Sequence, residues 1–196
     1  MDRIMHRVNT IKDLKNTSSS FGVEVDIRSN NKKLIIHHDP FKQGVSFIKW
    51  LNFYNHKILI LNVKEEGLES ELIKLMKKKK IKNYFFLDQS FPFLIKTCNL
   101  GEDRCAIRIS EYESIETVLS LSGKIKWVWV DCFSKFPLDQ KKFSVLKKNG
   151  FKLCFVSPEL QGKTSISKIK KFKSAIKKMN IQGDAVCTKY PDLWKC

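Results

Sequence analysis

Apolar and polar residues alternate from Val23 to Arg28: Val23, Val25 and Ile27 fall on one side, Glu24, Asp26 and Arg28 on the other. A period of two predicts a half-buried strand. A polar turn, Ser29–Lys33, leads into Leu34-Ile35-Ile36 and then His37-His38-Asp39-Pro40, so a second strand is expected beside the first. Similar short apolar runs recur along the chain. They predict strands over Arg3–Val8, Val23–Arg28 with Leu34–His38, Ile58–Val63, Tyr84–Leu87, Cys105–Ile109, Trp127–Val130, Lys152–Val156 and Ala185–Thr188. Helix-like spacing appears between them. Leu68, Leu72, Ile73 and Met76 share one face, as do Ile115, Val118, Leu119 and Leu121, and Ile166, Ile169, Phe172, Ile176 and Met179. Gly67, Gly101, Gly123, Gly150 and Gly183 stand at the joins, where turns are expected. Strand–helix alternation from end to end predicts an α/β fold with a parallel sheet. Eight strand positions suit a closed barrel. A doubly wound open sheet is the alternative, weakened by the lack of a glycine-rich phosphate loop after the first strand.

Composition narrows the picture. At 196 residues, with 42% hydrophobic residues and 14 phenylalanines, the chain is expected to form one domain over 1–196 with a substantial core. A (β/α)₈ barrel usually takes about 250 residues, with about 200 as its lower limit, so a compact one with short helices and loops is expected. Lys and Arg number 37 against 20 Asp and Glu, a net charge of +17. That balance favours anionic partners: phosphate esters, nucleic acid or an acidic membrane surface. The lysines are dispersed, however, and no RNA-binding aromatic motif or helix-turn-helix pattern appears, so no specific nucleic acid is expected. The dense stretches Lys77–Lys80 and Lys168–Lys178 are read as solvated helix faces or ends. The six cysteines, at 98, 105, 132, 154, 187 and 196, form no CxxC or metal-finger spacing. They are expected to be reduced and buried, in a cytoplasmic protein. No apolar run approaches about 18 residues, so no transmembrane segment is expected.

Several motifs carry chemistry. Glu24 and Asp26, about 7 Å apart on one strand face, suit a hard cation such as Mg²⁺ or Ca²⁺. A charged outer face of a surface hairpin explains the same spacing. Histidine recurs at the ends of apolar runs, in Met5-His6-Arg7-Val8-Asn9-Thr10 and in His37-His38-Asp39. The predicted strand ends also carry Asn62, Lys64, Asp88, Asp131 and Glu159. In a barrel, such ends converge on one mouth.

The ordered set His6-Arg7, Gly22 followed by Glu24-Val25-Asp26, His38-Asp39, Lys64 in Leu61-Asn62-Val63-Lys64, Ser90-Phe91, and Thr188-Lys189-Tyr190-Pro191-Asp192 resembles the glycerophosphodiester phosphodiesterase family, of the phospholipase C-like superfamily. The resemblance spans almost the whole chain and implies a (β/α)₈ TIM barrel. It also implies a metal-dependent hydrolase acting on a small-molecule phosphodiester, with a role in lipid metabolism. It implies His6 and His38 as the general acid/base pair, Arg7 and Lys64 near the phosphate, and Glu24, Asp26 and position 62 as ligands of a divalent cation. Related enzymes use a neighbouring substrate hydroxyl as nucleophile, giving a cyclic phosphate that is then hydrolysed. The chain departs from the family pattern at Asn62, where glutamate is usual. It departs again after His6-Arg7, where a glycine is missing and Glu-Asn-Thr becomes Val8-Asn9-Thr10. Asparagine offers a neutral carbonyl oxygen but removes a negative charge, so weaker cation binding is expected. The competing expectation is a catalytically weakened barrel that binds a phosphorylated ligand or partner. His37 points away from His38 on a strand and is read as structural. Asp39 is read as orienting a loop, and Asp88 and Asp131 as mouth residues or helix caps. Oligomeric state and substrate identity carry no sequence signal.

Overall fold

The computed structural model describes residues 1–162 and 165–195. In chain order the elements are β1 (Asp2–Met5), α1 (Ile11–Asn16), β2 (Gly22–Asn30), β3 (Lys33–Ile36), β4 (Val45–Ser46), α2 (Phe47–Leu51), β5 (Leu59–Val63), α3 (Glu69–Lys78), β6 (Tyr84–Leu87) and α4 (Phe91–Asn99). They continue with β7 (Ala106–Ile109), α5 (Ile115–Leu119), β8 (Trp127–Val130), α6 (Gln140–Lys148), β9 (Lys152–Val156), α7 (Ile166–Lys178) and β10 (Ala185–Thr188), with 3₁₀ turns at Pro158–Gln161 and Pro191–Trp194. The chain divides into two compact units: Met5–Cys105, and Met1–Ile4 together with the described residues from Ala106 onward. Both are α/β.

In the Met5–Cys105 unit the strand order is β4-β3-β2-β5-β6. The pairs β2–β5 and β5–β6 are parallel, while β2–β3 and β3–β4 are antiparallel. The sheet is therefore mixed, because the β2–β3 hairpin and the short β4 extend a parallel core. Val23, Val25, Ile27, Leu59 and Leu61 are fully buried on one face of the β2–β5 pair, with Leu14, Phe47, Trp50, Leu72 and Met76 buried from the helices. Gly44 lies where a Cβ would stand 2.3 Å from the Ile36 carbonyl oxygen, so only glycine allows the chain to press against β3 before entering β4.

In the other unit β7, β8, β9 and β10 are consecutive parallel neighbours, and the Asp2 amide donates to the Asp184 carbonyl (2.7 Å). Phe155, Phe136, Phe172 and Trp194 form an edge-on chain with centroids 5.3–6.0 Å apart, a favourable arrangement for aromatic rings. At the C-terminal ends of β9 and β10 a buried network closes on Glu159. Its carboxylate accepts from Ser157 Oγ, Thr188 Oγ1 and the Lys189 amide, and Trp194 Nε1 donates to Ser157 Oγ. Glu159 thus braces the end of the chain with every contact satisfied. Asp131 accepts from the Cys132 amide (2.9 Å) and Gln161 Nε2 (2.6 Å) and is no helix cap: Asp139 caps α6.

Three expected boundaries shift. β2 runs on through Ser29 and Asn30, which pair with Leu34 and Lys33, so the expected turn Ser29–Lys33 narrows to Asn31-Lys32. β1 stops at Met5 rather than Val8, because Arg7 takes a left-handed backbone (φ 53°) that no strand tolerates. The hairpin's second strand ends at Ile36, so His37 and His38 lie beyond it. Cys105, Cys132, Cys154 and Cys187 are buried and Cys98 half-buried, all as free thiols. Cys196 lies outside the described residues. Among those residues no helix is long and apolar enough to cross a membrane.

Candidate active site

The site is built on the β2–β5 pair of the Met5–Cys105 unit. Asp26 lies opposite Asn62 in the parallel register, and with a period of two Glu24, Asp26 and Asn62 share one face. Both carboxylates are fully buried and Asn62 is 6% exposed. Burying two like charges this close carries a large desolvation cost unless donors compensate. Here the chain supplies them. Glu24 Oε1 accepts from Asn62 Nδ2 (2.8 Å) and Glu24 Oε2 from the Arg7 amide (2.6 Å). Asp26 Oδ2 accepts from Asn9 Nδ2 (2.7 Å), while Asn9 Oδ1 takes the Asp26 amide (3.0 Å). Lys64 Nζ stands 3.5 Å from Asp26 Oδ1 and donates to Asp88 Oδ2 (3.1 Å). Arg7 Nε lies 3.8 Å from Asp26 Oδ2 and His6 Nε2 lies 3.9 Å from Glu24 Oε2.

The left-handed turn at Arg7 thus has a purpose. It aims the Arg7 amide at Glu24, and the next amide, Val8, bonds the Glu24 carbonyl (2.8 Å). Asp88 is also left-handed (φ 59°), and it serves Lys64 rather than capping α4, whose N-cap is Ser90. Burial first, and then the Asp26 charge, push Glu24 up to about 7, against the pull of the Arg7 amide, the Asn62 amide and Lys64.

The hairpin brings in the second histidine. The His37 amide donates to the Asp26 carbonyl (3.1 Å), returning the chain to the level of Asp26. Arg28 then grips the His38 carbonyl with Nε (3.1 Å) and Nη2 (3.0 Å). His38 Nδ1 lies 2.7 Å from Asp39 Oδ1, and that hydrogen bond holds Asp39 below the usual carboxylate range. Facing a carboxylate, Nδ1 is the ring nitrogen placed to donate, and Nε2 lies on the other side of the ring. His37 Nδ1 accepts from the Asp39 amide (3.0 Å), a turn-forming role.

The structure therefore places His6, Arg7, Glu24, Asp26, Asn62 and Lys64 in one contact network, with the His38–Asp39 pair on the turn that follows the β2–β3 hairpin. Sequence reasoning gave no role to Asn9, which clamps Asp26 at two points, or to Arg28, which positions His38. Arg28 was within reach, since the alternation puts it on the face of Glu24 and Asp26. Asn9 was not, because its partner lies 17 residues away. Among the described residues no group of three or more His, Cys, Asp or Glu side chains suits a metal ion. With asparagine counted, the donor set is all oxygen. Asp26 Oδ1 and Asn62 Oδ1 are buried and accept no hydrogen bond from the described residues, and acceptors of this type fit a hard cation.

No family model matches the sequence, and no curated protein matches it either. The structure, in contrast, matches solved ones. A glycerophosphodiester phosphodiesterase from Agrobacterium tumefaciens strain C58 superposes with TM-score 0.66 at 10% identity, over 99% of this chain and 97% of that one. A glycerophosphoryl diester phosphodiesterase from Parabacteroides distasonis gives TM-score 0.67 at 11% identity, over 98% of this chain and 84% of that one. The fold is that of the glycerophosphodiester phosphodiesterases. At such identities the likeness concerns backbone topology, and the chemistry rests on the side chains described above.

Proposed function

We propose that the chain is a metal-dependent phosphodiester hydrolase of the glycerophosphodiester phosphodiesterase type, a single compact (β/α)₈ barrel domain acting in the cytoplasm on a small-molecule phosphodiester. The observation that carries this is the joining of His6, Arg7, Glu24, Asp26, Asn62 and Lys64 through direct contacts, with the His38–Asp39 pair beside them, on a phosphodiesterase fold. Glu24, Asp26 and Asn62 would hold a divalent cation, Mg²⁺ or Ca²⁺, which when bound offsets charge gathering on the phosphoryl oxygens. Arg7 and Lys64 hold the remaining phosphate charge. His38 Nε2, oriented by Asp39, and His6 carry protons as general acid and base. One takes the proton of an attacking hydroxyl and the other protonates the leaving oxygen.

The experiment is turnover of soluble glycerophosphodiesters and bis(4-nitrophenyl) phosphate with Mg²⁺ or Ca²⁺, for wild type and His38→Ala. Loss of about 10²–10⁴ in rate with an unchanged circular dichroism spectrum is expected. Turnover that survives His38→Ala refutes the assignment. A second reading, a weakened barrel that binds a phosphorylated ligand, draws on one observation: both Glu24 oxygens already accept hydrogen bonds from the chain. Phosphate-ester binding without turnover of any substrate is its signature.

A further inference from the structure

One stretch of the Met5–Cys105 unit, residues 37–51, carries both His38 and two exposed apolar residues. Phe41 is fully exposed, at 104% of its reference area, and Ile48 is 52% exposed. Each is followed by an exposed lysine, Lys42 and Lys49. Single exposed apolar residues are ordinary, so exposure alone decides nothing. The repeated apolar–basic pairing and the rigid mounting do. Upstream of Phe41, the His38 and Asp39 hydrogen bonds fix the chain. Downstream, Gly44 presses on β3, and Ser46 Oγ accepts from the Lys49 amide (3.4 Å) at the start of α2. Phe47 and Trp50 are fully buried beneath, and Trp50 Nε1 donates to the Val8 carbonyl (3.0 Å). The segment is thus tied at one end to His38 and at the other to the chain just past His6-Arg7. Phe41 sits at φ 58°, which holds the loop tip in a conformation phenylalanine rarely adopts.

We propose that residues 41–49 seat the protein on an anionic phospholipid surface. Phe41 and Ile48 enter the acyl boundary, while Lys42 and Lys49 lie along lipid phosphates, the arrangement that suits amphipathic contact with a bilayer. A net charge of +17 favours a negatively charged leaflet. The phosphodiester offered to His38 is then carried by a membrane lipid. This last clause rests on the phosphodiesterase reading, whereas the docking does not.

The test is co-sedimentation with sucrose-loaded vesicles of phosphatidylcholine alone and of phosphatidylcholine with phosphatidylglycerol, at 0.15 M salt. Wild type is expected to bind the anionic vesicles. The double variant Phe41→Ala/Ile48→Ala should lower the partition coefficient at least about tenfold. Lys42→Gln and Lys49→Gln should each lower it roughly fivefold, on anionic vesicles only. All variants should keep the wild-type melting temperature and wild-type turnover of bis(4-nitrophenyl) phosphate. Wild type that ignores both vesicles overturns the proposal, as does a double variant that binds like wild type, since diffuse charge then explains the binding. A wild-type dimer split by Phe41→Asp, with no vesicle binding, also overturns it in favour of a protein contact. Vesicle binding without hydrolysis of any phosphodiester keeps the docking and removes the enzyme reading. Hydrolysis of soluble diesters without vesicle binding does the reverse.

Discussion

Replacing Glu24 by glutamine tests the electrostatics of the site without needing a substrate. Burial and the Asp26 charge hold Glu24 at about 7, against an ordinary value of 4.5. A raised carboxyl stabilises the fold fully below 4.5, and that stabilisation is lost as pH rises through about 7. At about 1.4 kcal/mol per pH unit, ionised Glu24 costs the cation-free fold about 3 kcal/mol above neutrality. Glutamine carries no such charge. Its amide also finds a ready partner: a half-turn of the Asn62 amide presents Asn62 Oδ1, which accepts no hydrogen bond from the described residues of the wild type, to the new donor. The variant's advantage over wild type should therefore grow with pH, by about 2 kcal/mol between pH 5.5 and pH 8.5. Urea unfolding in EDTA at the two pH values measures it. A difference that stays constant within about 0.5 kcal/mol would refute a raised, buried Glu24 carboxyl. Saturating Mg²⁺ or Ca²⁺ should reverse the order at pH 8.5, because only the wild type then gains from the ion.

Asn62→Glu restores a third carboxylate opposite Asp26 and should tighten divalent cation binding about tenfold at pH 8, read by calorimetric titration; unchanged affinity would place the cation away from β5. Trp50→Phe leaves the buried Val8 carbonyl without its donor and should destabilise the fold by about 2 kcal/mol in urea. Because Val8 follows His6-Arg7, the variant should also slow turnover of soluble diesters, and destabilisation without any loss of rate would show that the link is purely structural.

The strands were legible because their apolar residues lie in runs or strict alternation and are buried. β5, β6, β8, β9 and β10 sit where the pattern puts them, within a residue, and β2 within two. The short helices α1, α2, α4 and α6 were not anticipated. At five to nine residues each, they rest on packing rather than on a regular apolar stripe. At the site, spacing was enough to pair Glu24 and Asp26, since a period of two fixes their face; Asn62 was joined to them by the family resemblance, and the parallel register that sets it opposite Asp26 is seen only in the structure. Spacing was not enough for His38. Continuing the strand through His37-His38 would send the two rings to opposite sides, whereas the chain leaves the strand after Ile36 and the two rings turn separately onto Asp39. Backbone donors have no signature in a sequence. The Arg7 amide that steadies Glu24 is visible only once the chain has turned left-handed.

That turn bears on how the chain can change over generations. A left-handed φ of 53° at a non-glycine residue costs about 1 kcal/mol or more, and a mutation to glycine would recover it while keeping the amide that Glu24 needs. What glycine removes is the guanidinium near Asp26. Drift that rewards stability alone should therefore replace Arg7 by glycine readily, and only a need for that cation at the site holds arginine there. The residue found at position 7 in descendants of this chain is then a record, readable without any assay, of whether the site is still in use.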